Sequence, residues 1–351
     1  MKNLSKKLFY LTLVLGVSFA CDPVSPEIPP GEFEDGVLIV NEGAFGANDG
    51  EIYHFDPESG EVQPDIFASK NNRPFAGLIQ KIYIEEDRTY LVANTGKVEV
   101  VNSTDFISRG VVSGEDLGNC RGLAVMSEKL FISDWGPYDE NWENPDSFIG
   151  VVRNLDGGPV ETKIEVPSRP EGMTVFNDKI LVACQGESLM AVIDPEKGSV
   201  DGTIEVEGTP YSFFNYDGQL YLYALGEDEI MVHPIRTADF SLGQTLVFRV
   251  PEPIYNGNFV LGKEGEMYVI AGNGASSKVV KLSINSGEIL DENFFTGSNF
   301  YGLGFHHSTN TLYIGEHNGW QGNGTVIRVN TMGDELDRIP AGRGPSGFLF
   351  P

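Results

Sequence analysis

The chain has 351 residues, 40% of them hydrophobic, with 42 glycines, 20 prolines and a formal charge of −27 at pH 7. That is ample apolar material for a large buried core, and too little glycine and proline for a disordered chain. The acidity excludes a nucleic-acid binder, which needs a basic footprint, and disfavours flat adsorption to an anionic membrane surface.

Residues 1–20 have the layout of a processing signal. Lys2, Lys6 and Lys7 give a positive start, and Leu8 to Phe19 form an apolar run too short for a stable membrane-spanning helix. The run ends in Ser18-Phe19-Ala20-Cys21, small residues before a single cysteine, which resembles a bacterial lipoprotein cleavage site. Cys21 is then expected to become the lipidated first residue. Residues 21–35 carry Pro23, Pro26, Pro29 and Pro30 among acids and are expected to form a flexible tether. Residues 36–351 are expected to form one folded domain.

From residue 36 onward the chain repeats. A short apolar run is followed by a polar turn, such as Asn177-Asp178 or Asp217-Gly218, and by an alternating strand such as Leu220 to Tyr223. A glycine-containing loop, a third strand, a D-P-x-x-G or N-x-G turn and a fourth strand complete the unit, which is hairpin grammar. Second strands begin near 38, 90, 130, 180, 220, 267 and 312, and first strands near 77, 122, 172, 212, 258, 302 and 347. Four strands at this period predict an all-β, seven-bladed β-propeller. The chain enters on a second-type strand, Val37 to Val40, and ends on a first-type strand, Gly347 to Phe350. The two are expected to share one blade and close the ring, which removes free sheet edges.

The stretch ILVACQGESLMAVIDPEKGSVDGTIEVEGTPYSF (180–213) resembles the YVTN repeat of YncE-like seven-bladed propellers. GVLIVNEGAFGANDGEIYHFDPESGEV (36–62) is similar to the first blade of Bacteroidota surface lipoproteins of that group. Some of those are similar to accessory proteins that capture corrinoids or iron-siderophore complexes for TonB-dependent outer-membrane transporters. The resemblance implies a lipoprotein of the outer membrane, at the cell surface or on the periplasmic face. It would touch the membrane only through its lipid, bind a small-molecule ligand and partner a TonB-dependent transporter. No cofactor is implied.

In a propeller the loop into each first strand and the loop after each second strand emerge on one face. The first set carries Arg73, Arg121, Arg169 and Arg343 at four equivalent places, together with Tyr301. Guanidiniums hold phosphate, carboxylate or amide oxygens with a fixed donor fork, though each could instead pair with an acid of its own protein. The second set carries Phe45, Trp135, Tyr138, Trp142, Gln185, His317 and Trp320, so all three tryptophans fall on this face. The long loop WGPYDENWENP (135–145) is expected to fold over the mouth of the funnel and present indoles there. Such a rim suits a medium-sized polar ligand with planar or apolar surface: a corrinoid, a chelated siderophore or a glycan stacked on tryptophan.

No catalytic set stands out. The sequence has no phosphate-binding glycine loop, nucleophile elbow or H-E-x-x-H. Glu316-His317 is the best centre for an alternative lyase or hydrolase reading, and Asp134, Asn94 and Asn273 could complete an oxygen-rich cation site; a closed funnel would instead suggest a protein-binding module. Asp56 and Asp194 are expected to cap turns. Cys120 and Cys184 could be buried free thiols or a pair, but do not make a metal cluster.

Overall fold

The computed structural model describes residues 31–114, 117–254 and 257–351. The expected leader, Cys21 and most of the tether lie outside the described residues, as do Glu115, Asp116, Tyr255 and Asn256. Among the described residues, no helix is long and apolar enough to cross a membrane.

The described chain forms 28 strands arranged as seven four-stranded antiparallel blades. The inner strands are Ile79–Glu85, Cys120–Met126, Pro170–Phe176, Thr209–Tyr216, Phe259–Leu261, Phe300–His306 and Pro345–Leu349. Each is followed outward by its second, third and fourth strands. The hairpin turns between first and second strands use the left-handed conformations that match strand twist: φ is +49° and +57° at Asn177 and Asp178, and +48° and +76° at Asp217 and Gly218. At the outer turns, Asp56 Oδ1 accepts from the Glu58 N–H at 2.8 Å. Asp194 Oδ1 accepts from the N–H groups of Glu196 and Lys197 at 3.0 and 2.9 Å. Both carboxylates are turn caps.

The ring closes through its two ends. Val37–Asn41 pairs antiparallel with Pro345–Leu349, with Ile39 opposite Phe348, and continues outward into Glu51–Phe55 and Val62–Gln63. A single parallel contact, Leu303 with Gly347, joins this blade to its neighbour. The core is a set of seven apolar seams, one between each pair of adjacent blades. Val37, Ile39 and Tyr53 of the closing blade meet Tyr313 and Val326 on one side. Leu38, Val40 and Ile52 of the same blade meet Leu91, Ala93 and Val101 on the other. Successive strand residues face opposite ways, so a doubly buried blade must be apolar at nearly every position. This is why the second strands read as continuous hydrophobic runs.

Two features depart from the sequence expectation. A short helix, Ile66–Asn71, lies between the closing blade and the next inner strand, capped by Asp65 and burying Ile66 and Phe67. The packed domain also begins at Gly31 rather than Gly36. Phe33 is 1% exposed and its ring stands edge-on to His54 and Phe106 at 5.3 and 5.7 Å. An aromatic ring that can bury this fully does not stay in a solvated tether.

Candidate functional site

Six of the seven inner strands slip register against their partners within their first residues. The residue left unpaired is Gln80, Arg121, Tyr211, Tyr301 or Ser346, and in one strand it is the pair Glu171-Gly172. Asn258 stands just before the seventh. A bulge re-aims a side chain that would otherwise point into a blade seam. Here Gln80, Arg121, Glu171, Tyr211, Asn258, Tyr301 and Ser346, seven residues from seven blades, line one axial cavity of about 280 Å³. The glycines that follow them are required by close approach. A Cβ on Gly122 would lie 2.6 Å from the Glu171 carbonyl oxygen, and one on Gly172 would lie 2.5 Å from the Tyr211 carbonyl oxygen.

Most of the remaining wall comes from residues just past the second strands: Glu42, Asn94, Trp135 and Gln185. Their backbone N–H groups donate to the loops that lead into the inner strands. Asn94 bonds Leu78, Trp135 bonds Asn119, Gln185 bonds Arg169 and Glu42 bonds Gly344, at 2.9 to 3.2 Å. The two loop sets predicted to share a face are therefore stitched together around the axis. Asp134 fixes the Trp135 segment most firmly. Its buried carboxylate accepts from the N–H groups of Gly118, Asn119 and Gly136 at 2.8, 3.1 and 2.7 Å. Those oxygens serve the backbone, which removes Asp134 from the oxygen-rich cation site considered from sequence.

Charge is concentrated at the cavity floor. Arg121 donates through Nε and one Nη to Glu171 at 2.8 and 2.9 Å. Its guanidinium stands 4.5 Å from the centre of the Trp135 ring. Glu42 accepts from Gln80 Nε2 at 2.6 Å and from the Tyr301 hydroxyl. Burial pushes the Glu42 carboxyl above its ordinary range despite those donors. Burial also pushes the Lys81 amine below its ordinary range, opposed by the charges of Glu171 and Glu42. A deeper cavity of about 180 Å³ shares Lys81, Glu171 and Tyr211 with the first. A third, of about 380 Å³, shares Tyr83 and Met173 with the second and is lined by Glu85 and Thr174 as well as Leu123 and Val125.

Of the residues proposed from sequence, Arg121, Trp135, Gln185 and Tyr301 meet in the axial cavity. Trp320 and His317 form a stacked pair, centroids 4.7 Å apart, packed against Tyr301 at 4.9 and 6.0 Å. They buttress the cavity wall, and burial lowers the pKa of His317. Glu316 turns away to Ser298 and Arg338 at 3.2 and 3.0 Å, so the adjacent Glu316 and His317 do not converge. Phe45, Tyr138 and Trp142 are 96%, 45% and 75% exposed. They form the aromatic rim of the same face, with Tyr138 and Trp142 5.9 Å apart.

The other arginines have partners within the fold. Arg73 pairs with Glu99 at 2.5 Å, over the ring of Phe67, and Arg343 pairs with Asp49 at 3.2 Å. Arg169 holds the long loop down, donating to Asn144 Oδ1 at 2.9 Å and to the Trp142 carbonyl at 2.7 Å. The expected lid is therefore divided: Trp135 turns into the cavity while Trp142 is carried outward at the loop tip.

Sequence reasoning did not single out Glu42, Gln80, Lys81 or Ser346, and placed Glu171 only as a partner for arginine. The signal was available in part: C-R-G, P-E-G, F-Y-G and P-S-G each put the bulged residue before a glycine. Cys120 and Cys184 are both buried and unpaired. Among the described residues, no group of three or more His, Cys, Asp or Glu side chains is arranged to hold a metal ion.

The model of the family described as Domain of unknown function (DUF5074) matches residues 35–341. No curated protein matches the chain. Solved structures share the fold at low identity. A quinonprotein alcohol dehydrogenase-like protein from Bacteroides thetaiotaomicron is 16% identical, with a TM-score of 0.67 over 91% of this chain and 78% of that one. The periplasmic gluconolactonase PpgL of Pseudomonas aeruginosa is 14% identical, with a TM-score of 0.65 over 90% and 98%. Hydrazine synthase of Kuenenia stuttgartiensis is 16% identical, with a TM-score of 0.58 over 77% and 88%. At these identities the likeness is one of fold.

Proposed function

We propose, from the premise that the chain belongs to the DUF5074 family, that this protein captures a small molecule at the funnel face of its propeller. It does so as a lipid-anchored protein of the outer membrane and passes the ligand to a transporter there. The observation that carries the reading is the convergence of seven bulged or strand-leading residues on one cavity beneath an aromatic rim. A fold that only needed stability would fill its axis with apolar side chains, because buried charges cost free energy even when paired. Enclosed pockets with a few convergent polar groups are the usual form of a ligand site.

The cavity volume of about 280 Å³ constrains the cargo. A corrinoid or ferric siderophore is larger than this. Such a ligand would lie across Phe45, Tyr138 and Trp142 and send one polar arm down to Arg121 and Lys81. Titration of intrinsic tryptophan emission with cobalamin, ferric siderophores, haem and glycans tests the reading. Saturable quenching that weakens in Trp142→Ala and Trp135→Phe supports it. Unchanged emission with every ligand class, in a protein whose Trp142→Ala spectrum differs from wild type, overturns capture at this face.

A catalytic reading has one observation in its favour. Burial drives the Glu42 and Lys81 pKa values toward each other within one cavity, the pattern of an acid–base pair. Turnover of any ligand found in the titration, abolished in Lys81→Met, would support it.

A further inference from the structure

Three polar atoms of the axial cavity lack a hydrogen-bond partner within the fold. Lys81 is half-buried in the cavity wall with no acceptor for its amine within the fold, where the charges of Glu171, Arg121 and Glu42 act on it. Trp135 Nε1 is buried with no acceptor, and Asn94 Oδ1 is buried with no donor. All three side chains line the same cavity. The groups around them are already engaged. Arg121 forks onto Glu171, and Glu42 receives Gln80 and Tyr301. Native folds satisfy nearly all buried polar atoms, so two unmet ones beside an unpaired amine in one cavity call for an explanation.

Their chemistry specifies the missing group. Two are donors, one of them an amine, so the ligand brings acceptor oxygens and the acidic partner that Lys81 lacks. The third is an acceptor and needs a hydroxyl or amide donor. The cavity holds Glu42 and Glu171 against Lys81 and Arg121, so one added negative charge is tolerated while a dianion would face two carboxylates at short range. A monoanionic carboxylate fits this count and a dianion such as sulfate does not.

Resting on the capture reading, we propose that the axial cavity takes the carboxylate end of a small hydroxy acid. The acid is either free or the side arm of a larger ligand whose carboxylate reaches the cavity floor. The carboxylate accepts from Lys81 Nζ and Trp135 Nε1, and a hydroxyl of the ligand donates to Asn94 Oδ1. Binding replaces three unmet hydrogen bonds by three made ones, which is where the affinity comes from.

The test is calorimetric titration of the full protein with gluconate, glycolate, sorbitol and inorganic sulfate at pH 7. Gluconate is expected to bind, glycolate more weakly, and sorbitol and sulfate not measurably. Lys81→Met should weaken gluconate at least about tenfold, the loss of one charge-assisted hydrogen bond, and Lys81→Arg should restore part of it. Trp135→Phe, which keeps the ring packing, should weaken gluconate by a smaller factor. Thermal melts of each variant separate a lost contact from a lost fold. Sorbitol binding as tightly as gluconate overturns the acid while leaving capture in the cavity intact. Gluconate binding that is unmoved by Lys81→Met overturns the assignment of the anchor. Absence of carboxylate binding, with cobalamin or a siderophore still quenching Trp142, overturns this inference alone.

Discussion

Arg121 and Glu171 are the bulged residues of two successive blades, and the first grips the second with two parallel hydrogen bonds of 2.8 and 2.9 Å. The pair therefore spans a blade boundary at the axis. Both side chains are largely buried, at 19% and 7% exposure, and Lys81 stands close enough to feel both charges.

Removing one partner should cost far more than removing both. Glu171→Ala would leave Arg121 without its hydrogen-bonded partner and Glu42 as the one carboxylate of the cavity facing two neighbouring cations. A loss of about 3–5 kcal/mol is expected for breaking a buried pair from one side. Arg121→Met with Glu171→Met should cost less than the sum of the two single changes, giving a coupling of about 1–3 kcal/mol. Urea unfolding of the four proteins in the cycle measures it. Additive losses would mean that the two residues stabilise the fold independently of one another.

The cavity should also write a signature on stability against pH. Glu42 has a folded pKa raised above its ordinary 4.5 by burial. Between 4.5 and that higher value the native state keeps a proton that the unfolded chain has released. Stability therefore falls as pH rises through this window and then levels. Lys81 has a folded pKa lowered below its ordinary 10.5, again chiefly by burial. Between its lowered value and 10.5 the unfolded chain holds the extra proton, so stability rises with pH there. Glu42→Gln should flatten the first slope and Lys81→Met the second, leaving the other in place. Denaturant midpoints measured from pH 4 to 10 check both signs. A Glu42→Gln profile parallel to wild type across the acid window would show that the carboxyl ionises as it does in water.

The blades were legible in the sequence because a propeller repeats one instruction. Alternating apolar strands, turn pairs such as Asn177-Asp178, and complementary ends at Val37 and Phe350 each have a local cause. Seven copies of a weak signal add to a strong one. The site was only half legible. Arg121, Trp135, Gln185 and Tyr301 could be placed by counting loops, because loops inherit their face from the strands. Lys81 could not, because it follows the bulge at Gln80 and lies inside a strand that reads as ordinary alternation. The register slip that turns Gln80, Glu171 and Ser346 to the axis is a relation between two strands, and neither strand carries it alone. The helix at Ile66–Asn71 and the burial of Phe33 were missed for a related reason. Both are fixed by packing into the seam between the closing blade and the next one, which local propensity does not encode.

Asp134 links the repeat to the site, and its removal should separate the two. The residue ends a second strand, is fully buried, and accepts three backbone N–H groups from the loops on either side of it. Asp134→Ala would leave the amides of Gly118, Asn119 and Gly136 without acceptors. A loss of about 2–4 kcal/mol is expected, from unmet buried donors and a small cavity. Asp134→Asn keeps the volume but turns one oxygen into a donor facing other donors, so it should recover little of that loss. The sharper readout is local. Amide hydrogen exchange at Gly118, Asn119 and Gly136 should accelerate well beyond what the global stability change allows, while amides in blades across the ring follow the global value. Because Trp135 is the next residue and its N–H is tied to Asn119, its emission should shift toward that of an exposed indole. If Asp134 instead served as a cation ligand, millimolar calcium would raise the melting temperature of wild type and not of Asp134→Asn. With its oxygens already given to the backbone, the expected calcium effect is the same small one in both.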